Sequence, residues 1–165
     1  MDIVDHKTPF AVLLAEANDV DLVDGTFVKI GARYNHWVDA SKYSPEERVI
    51  MLTWHSSGII GNGGFEYLFS DDFDGDPDYA LTAECFKTLG LMRSYNAFQD
   101  AFRLFPGGQV PHKAEKRYSQ YVEAASEEVR ESISKEVWKD AWEQVREKKL
   151  AQFIRENVSE LGPFD

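Results

Sequence analysis

Apolar positions recur at steps of three and four along most of the chain, a period that predicts helices. Thr8-Pro9 reads as cap and first helical residue of a short helix to about Ala17, with Asn18 as its stop. Val20, Val23, Phe27, Ile30, Tyr34 and Trp37 share one face of a second helix over roughly 20–39, weakened near its start by Gly25. Ser44-Pro45-Glu46-Glu47 is a strong start signal, in which Ser44 caps, Pro45 fits the first turn and Glu47 completes a capping box. Val49, Ile50, Met51, Leu52 and Trp54 follow on several sides, so this helix is expected to be central and buried. It is expected to end before Asn62-Gly63-Gly64, where positive φ is allowed, with Phe65, Leu68 and Phe69 in a short aromatic turn or helix.

Beyond an acidic loop over 70–75, Asp76-Pro77 repeats the cap-then-proline signal and opens a helix to about Leu89. Ser94 is expected to cap the next, whose core face is Ala97, Phe98, Ala101, Phe102 and Phe105, and Pro106-Gly107-Gly108 stops it. Tyr118, Val122, Ala125, Val129 and Ile133 form one later stripe, and Trp138, Ala141, Trp142 and Val145 another. The apolar arc rotates after Arg146, which places a break near Glu147-Lys148-Lys149. No alternating run is long enough for a strand. The expected fold is all-α, one domain over residues 1–165 with seven or eight short helices around one core.

Composition narrows the function more than the fold. The 165 residues are 43% hydrophobic and include 4 Trp, 7 Tyr and 11 Phe, enough apolar material for a core. No apolar run reaches the roughly 20 residues of a membrane helix. The opening residues Met1 to Lys7 lack a signal-peptide pattern, and Cys85 is the only cysteine, so a cytoplasmic protein without disulfides is expected. The net charge is −11, which disfavours direct contact with nucleic acid or anionic lipid. All of it lies in the first half. Residues 1–84 carry 16 acids against 5 bases, whereas 85–165 carry 13 of each. Between Arg48 and Lys87 there is no base, only Glu66, Asp71, Asp72, Asp74, Asp76, Asp78 and Glu84. Seven acids without a counter-ion in sequence make a local field that costs self-repulsion.

These residue types admit several chemistries. Asp72, Asp74, Asp76 and Asp78 alternate like the first ligands of an EF-hand, but Pro77 stands where its glycine belongs and Ala83 where its last glutamate belongs. A solvated loop leading into a capped helix is the simpler reading, a weak divalent-cation site is left open, and no metal site is assigned. His6, His36, His55 and His112 show no metal-ligand spacing. A catalytic pair of His55 with Glu66 would require tertiary structure to bring the two together. Cys85 beside Phe86 reads as a core thiol. Gly61-Asn62-Gly63-Gly64 has no phosphate-binding lysine after it and reads as a helix corner. No catalytic or cofactor-binding motif is found, and no cofactor is expected. As a surface for a basic partner, the acidic run has suitable dimensions. Duplex DNA carries one charge per about 1.7 Å of axis, and alternate aspartates of an extended 72–78 would stand roughly 6.6 Å apart on one side.

The run Asn62-Gly63-Gly64-Phe65-Glu66-Tyr67-Leu68-Phe69, then a polar loop, an Ala/Leu-containing helix and Leu89-Gly90, resembles a bacterial family of unknown function named for its DNA mimic protein member. The resemblance runs from about Ser44 to Leu161, with residues 1–43 expected as N-terminal helices packed on that region. It implies an all-α fold and, for at least one relative, the presentation of DNA-like negative charge to a transcription factor. The loop Asp71-Asp72-Phe73-Asp74-Gly75-Asp76 is longer and more acidic than the family pattern. Asn62, Gly63, Gly64, Phe65 and Phe69 are read as architectural.

The leading expectation is a non-enzymatic DNA mimic whose acids Glu66, Asp71, Asp72, Asp74, Asp76, Asp78 and Glu84 occlude a basic nucleic-acid-binding protein. The alternatives are an immunity-type protein that neutralises a basic toxin, and an enzyme built on carboxylate, histidine or metal chemistry. Oligomeric state, monomer or homodimer, is left open.

Overall fold

The computed structural model describes residues 7–34, 39–73 and 75–164. Among them are eight α-helices and no strand: α1 Phe10–Glu16, α2 Asp19–Arg33, α3 Pro45–Phe69, α4 Ala80–Thr88, α5 Met92–Arg103, α6 Ala114–Ala124, α7 Glu127–Trp142 and α8 Val145–Glu156. Three single turns of 3-10 helix lie at Ala40–Lys42, Pro106–Gly108 and Val158–Glu160. The all-α expectation holds. α3 is the hub and packs against α2, α4, α6 and α7; α5 lies on α4 and α7, and α8 on α2 and α7.

The start of α3 follows its sequence signal closely. Ser44 Oγ accepts from the Glu47 N–H at 3.1 Å, and Glu47 Oε2 accepts from the Ser44 N–H at 3.1 Å. The same buried carboxylate takes Arg33 Nη1 at 2.7 Å and the Tyr34 hydroxyl at 2.6 Å, which ties α3 to the end of α2. Val49, Ile50, Met51, Leu52 and Ile60 are all buried, as a central helix requires. Beyond them the core is aromatic. Phe65 meets Phe98 edge-on at 4.8 Å, and Phe69 meets Tyr121 at 4.9 Å and Phe105 at 5.3 Å.

α3 does not end before Asn62. It runs on to Phe69 through a kink at Gly63 and Gly64, whose backbones are non-helical. α7 makes the kink affordable in hydrogen bonds. A regular helix would pair the Ile60 carbonyl with residue 64 and the Phe65 N–H with residue 61. Here Trp138 Nε1 donates to the Ile60 carbonyl at 2.8 Å, and the Phe65 N–H donates to Ser134 Oγ at 3.0 Å. Ser134 and Trp138 are one turn apart on α7, so one helix face serves both ends of the kink.

Other boundaries moved for identifiable reasons. Asn18 is the cap of α2, its side chain accepting from the Asp21 N–H. α2 stops at Arg33, and its core face is Leu22, Val23, Thr26 and Ile30 while Val20 is exposed; Trp37 lies outside the described residues. α4 begins at Ala80 because Tyr79 takes a left-handed conformation. Ser94 sits inside α5, where its N–H and hydroxyl donate to the buried carboxylate of Asp140 on α7, a cap supplied from another helix. The chain breaks at Ala125-Ser126, where Ser126 caps α7. It breaks again at Glu143-Gln144, just ahead of the expected place.

Candidate functional site

The acidic loop leaves the end of α3 and folds back toward its first half. From Phe69 it runs to Phe73, which is buried against His55 at 5.1 Å and stacks on Tyr79 at 5.4 Å. Gly75 then passes so close to Asp39 that a Cβ would lie 2.8 Å from the Asp39 Cα. Its φ of +68° adds a second reason for glycine there.

Beneath the loop lies Arg117 of α6, fully buried. Its guanidinium donates to five backbone carbonyls. Nε reaches Phe69 at 3.0 Å and Nη2 reaches Asp71, while Nη1 serves Pro77 and Pro111 at 3.1 Å and His112 at 3.2 Å. It also lies over the Tyr79 ring at 5.1 Å. One cation therefore gathers both ends of the acidic loop and the segment before α6. It fixes the loop backbone, on which the Asp71 and Asp72 side chains are exposed.

The seven acids singled out by sequence separate into distinct environments. Asp71 and Asp72 are exposed, and among the described residues neither pairs with a basic side chain. Asp78 is half-buried, with His112 Nε2 at 3.8 Å. Glu84 is exposed on α4, in a shallow depression with Glu46 and Arg48. Asp74 lies outside the described residues.

Asp76 and Glu66 depart from the expectation of outward, uncompensated charge. Asp76 is only 3% exposed. Its carboxylate accepts from the Thr82 N–H at 2.7 Å, the Thr82 hydroxyl at 2.6 Å and the Leu81 N–H at 3.3 Å, and so caps α4 from outside the helix. Glu66 is paired across the fold with Arg130 of α7, whose Nε donates to Oε2 at 3.2 Å. Asp39 was missed by sequence reading. It adjoins the loop at Gly75, and no local signal links positions 36 residues apart. Hydrogen bonds from the Ser41 hydroxyl and N–H hold its carboxyl below the usual range, so it is ionised at neutral pH.

Burial pushes the Asp76 carboxyl above its ordinary value, against the hydrogen bonds from Thr82 and Leu81. A carboxyl raised on folding binds its proton more tightly in the folded state. The stability it adds by protonation is fully present below the unfolded value near 3.8 and is lost as the pH rises through the folded value. Asp76→Asn cannot titrate. The wild-type protein should therefore gain stability relative to this variant as the pH falls through that window. Urea midpoints of the two proteins, compared between about pH 7 and pH 4, check the sign; a wild-type midpoint that falls relative to the variant's toward acid would contradict it.

The remaining chemistry is not assembled. His55 faces Phe27 and Phe73, whereas Glu66 faces Tyr118 and Arg130, so the catalytic pair considered from sequence is not brought together. Cys85 is buried with its thiol pushed up to about 12, chiefly by desolvation, which suits a core residue and opposes a nucleophile. Among the described residues no three His, Cys, Asp or Glu side chains converge as a metal site. No helix among them is long and apolar enough to cross a membrane.

Next to the loop, the kink opens a groove of about 630 Å³ lined by Asn62, Gly63, Glu66, Tyr67, Ser70 and Tyr118. It continues past Glu66 into a second depression bordered by Glu127, Arg130 and Glu131. Phe65 and Phe69 are buried in the core, and Gly63 and Gly64 form the bend.

No curated protein and no solved structure matches the chain. A family model described as DMP19-like protein matches residues 41–157.

Proposed function

The chain belongs to the DMP19-like family, and on that premise we propose that it is a non-enzymatic DNA mimic that occupies the DNA-binding surface of a basic protein. The observation that carries this reading is the outward set of Asp71, Asp72 and Asp78 on a loop whose backbone is held by the buried Arg117. Asp39 extends the same negative surface, Glu84 lies on the helix that follows, and Asp74 completes the run in sequence. A loop fixed from below presents charge without having to order itself on binding, which favours affinity. Phosphates on a duplex are likewise fixed. The reading treats residues 1–165 as one domain acting in the bacterial cytoplasm, where such partners work.

The triple variant Asp71→Asn/Asp72→Asn/Asp78→Asn tests it. The wild-type chain, immobilised, should retain a DNA-binding protein that duplex DNA displaces and that elutes with rising salt. For that protein, the triple variant should lower the association rate by about tenfold at low salt and flatten the salt dependence. Retention that survives the substitutions, or that DNA does not disturb, would count against charge mimicry. Capture of a nuclease whose toxicity the chain suppresses would favour the immunity-type alternative.

A further inference from the structure

The groove at the α3 kink combines features that the acidic loop lacks. Tyr67 is 57% exposed and Tyr118 is 40% exposed, large aromatic surfaces left in solvent on either side of Glu66. The Glu66 carboxylate is fixed between two donors, Tyr118 Oη to Oε1 at 3.4 Å and Arg130 Nε to Oε2 at 3.2 Å. Arg130 is itself anchored on the carbonyls of Val122 and Ala125. Each carboxylate oxygen keeps acceptor capacity. Ser70 donates its hydroxyl to the Tyr67 carbonyl at 2.7 Å, so its oxygen also faces the groove as an acceptor. The Tyr67 side chain lies against Gly63, where a Cβ would stand 2.7 Å from Tyr67 Cβ and 2.9 Å from its Cγ.

Charge decides the occupant. Among the described residues the one base lining the groove and its continuation is Arg130, which Glu66 neutralises; Glu127 and Glu131 remain on one side, and Asp71 and Asp72 follow Ser70 on the other. Two aromatic surfaces, a fixed carboxylate and a surplus of acid suit a flat, weakly hydrated cation more than a compact ammonium. We propose that this groove receives an arginine side chain of the basic partner, its guanidinium against Tyr67 and Tyr118 and its N–H groups toward Glu66 and Ser70. The inference rests on the charge-mimic reading and adds a residue-specific anchor to it. The loop supplies the long-range field, and the groove distinguishes arginine from lysine.

The test uses the full chain with hexa-arginine and hexalysine peptides at equal ionic strength. Hexa-arginine should bind roughly threefold to tenfold more tightly, the size of one or two exposed cation–π contacts. Tyr67→Ala/Tyr118→Ala should bring that ratio close to one while leaving hexalysine binding unchanged. Tyr67→Phe/Tyr118→Phe, which keeps both rings, should preserve it. The triple aspartate variant should weaken both peptides alike. If the wild-type ratio is already near one, or survives the double alanine variant, the groove inference is overturned while loop-dependent binding still stands. If neither peptide binds, both it and the charge-mimic reading fall.

Discussion

Arg117→Met is expected to destabilise the fold by about 3–5 kcal/mol and to release the acidic loop. The guanidinium is fully buried and serves five carbonyls from residues 69, 71, 77, 111 and 112. Methionine fills much of the volume but donates nothing. A buried acceptor left unsatisfied costs about 1–3 kcal/mol, and even with water entering for some of them the remainder reaches the upper range of single substitutions. Arg117→Lys should recover little, because an ammonium cannot reproduce the planar fork that addresses carbonyls on three sides. Urea unfolding checks the magnitude. Hydrogen exchange on the Arg117→Lys variant checks the location: protection should fall first around residues 70–79 and 111–113, ahead of α2 and α8. Uniform loss of protection would mean that Arg117 supports the core and does not specifically hold the loop.

That arginine also marks the boundary of what sequence can show. The start of α3 was readable because Ser44, Pro45 and Glu47 act on one another within four residues. The all-helical class followed from period alone, and the acidic run was visible as an unbroken stretch. Which of its members point outward was not. Asp76 reads as an ordinary cap, yet it is buried because Tyr79 turns left-handed and moves the start of α4 three residues downstream. Glu66 has no base near it in sequence, but Arg130 reaches it 64 residues later.

The same limit explains the stripe on α6. Tyr118 and Val122 recur at helical spacing, as do Arg117 and Tyr121 one position earlier. Hydropathy favours the first pair because a buried arginine is rare. The fold chooses the second: Tyr121 packs on Phe69 while Arg117 binds the loop. Tyr118 is thereby turned outward beside Glu66. The aromatic wall of the groove follows from a burial preference that periodicity could not rank.

Gly64→Ala should destabilise by about 3–5 kcal/mol, whereas Gly61→Ala, three residues earlier in the same helix, should be neutral or stabilising by up to about 1 kcal/mol. The two positions look alike in sequence. Gly61 is helical, and a Cβ there meets nothing within 4 Å. Gly64 has φ +71° and ψ −172°, a region essentially reserved for glycine, where another residue stores about 1–3 kcal/mol of strain. Its Cβ would also stand 2.7 Å from Ser134 Oγ, the atom that accepts from the Phe65 N–H. Relieving the clash by moving Ser134 abandons that buried donor, at a further cost of about 1–3 kcal/mol. A double-mutant cycle separates the two contributions. Ser134→Ala alone should cost about 1–3 kcal/mol by orphaning the Phe65 N–H. Combined with Gly64→Ala it should cost less than the sum, since the hydroxyl that collides is already gone, while the backbone strain remains. Full additivity in denaturant unfolding would show that the collision contributes nothing and that φ alone demands glycine. Because Glu66 and Tyr67 follow directly on the bend, Gly64→Ala should also erase the preference for hexa-arginine. Gly61→Ala should leave it intact, which ties the geometry of the kink to the chemistry of the groove beside it.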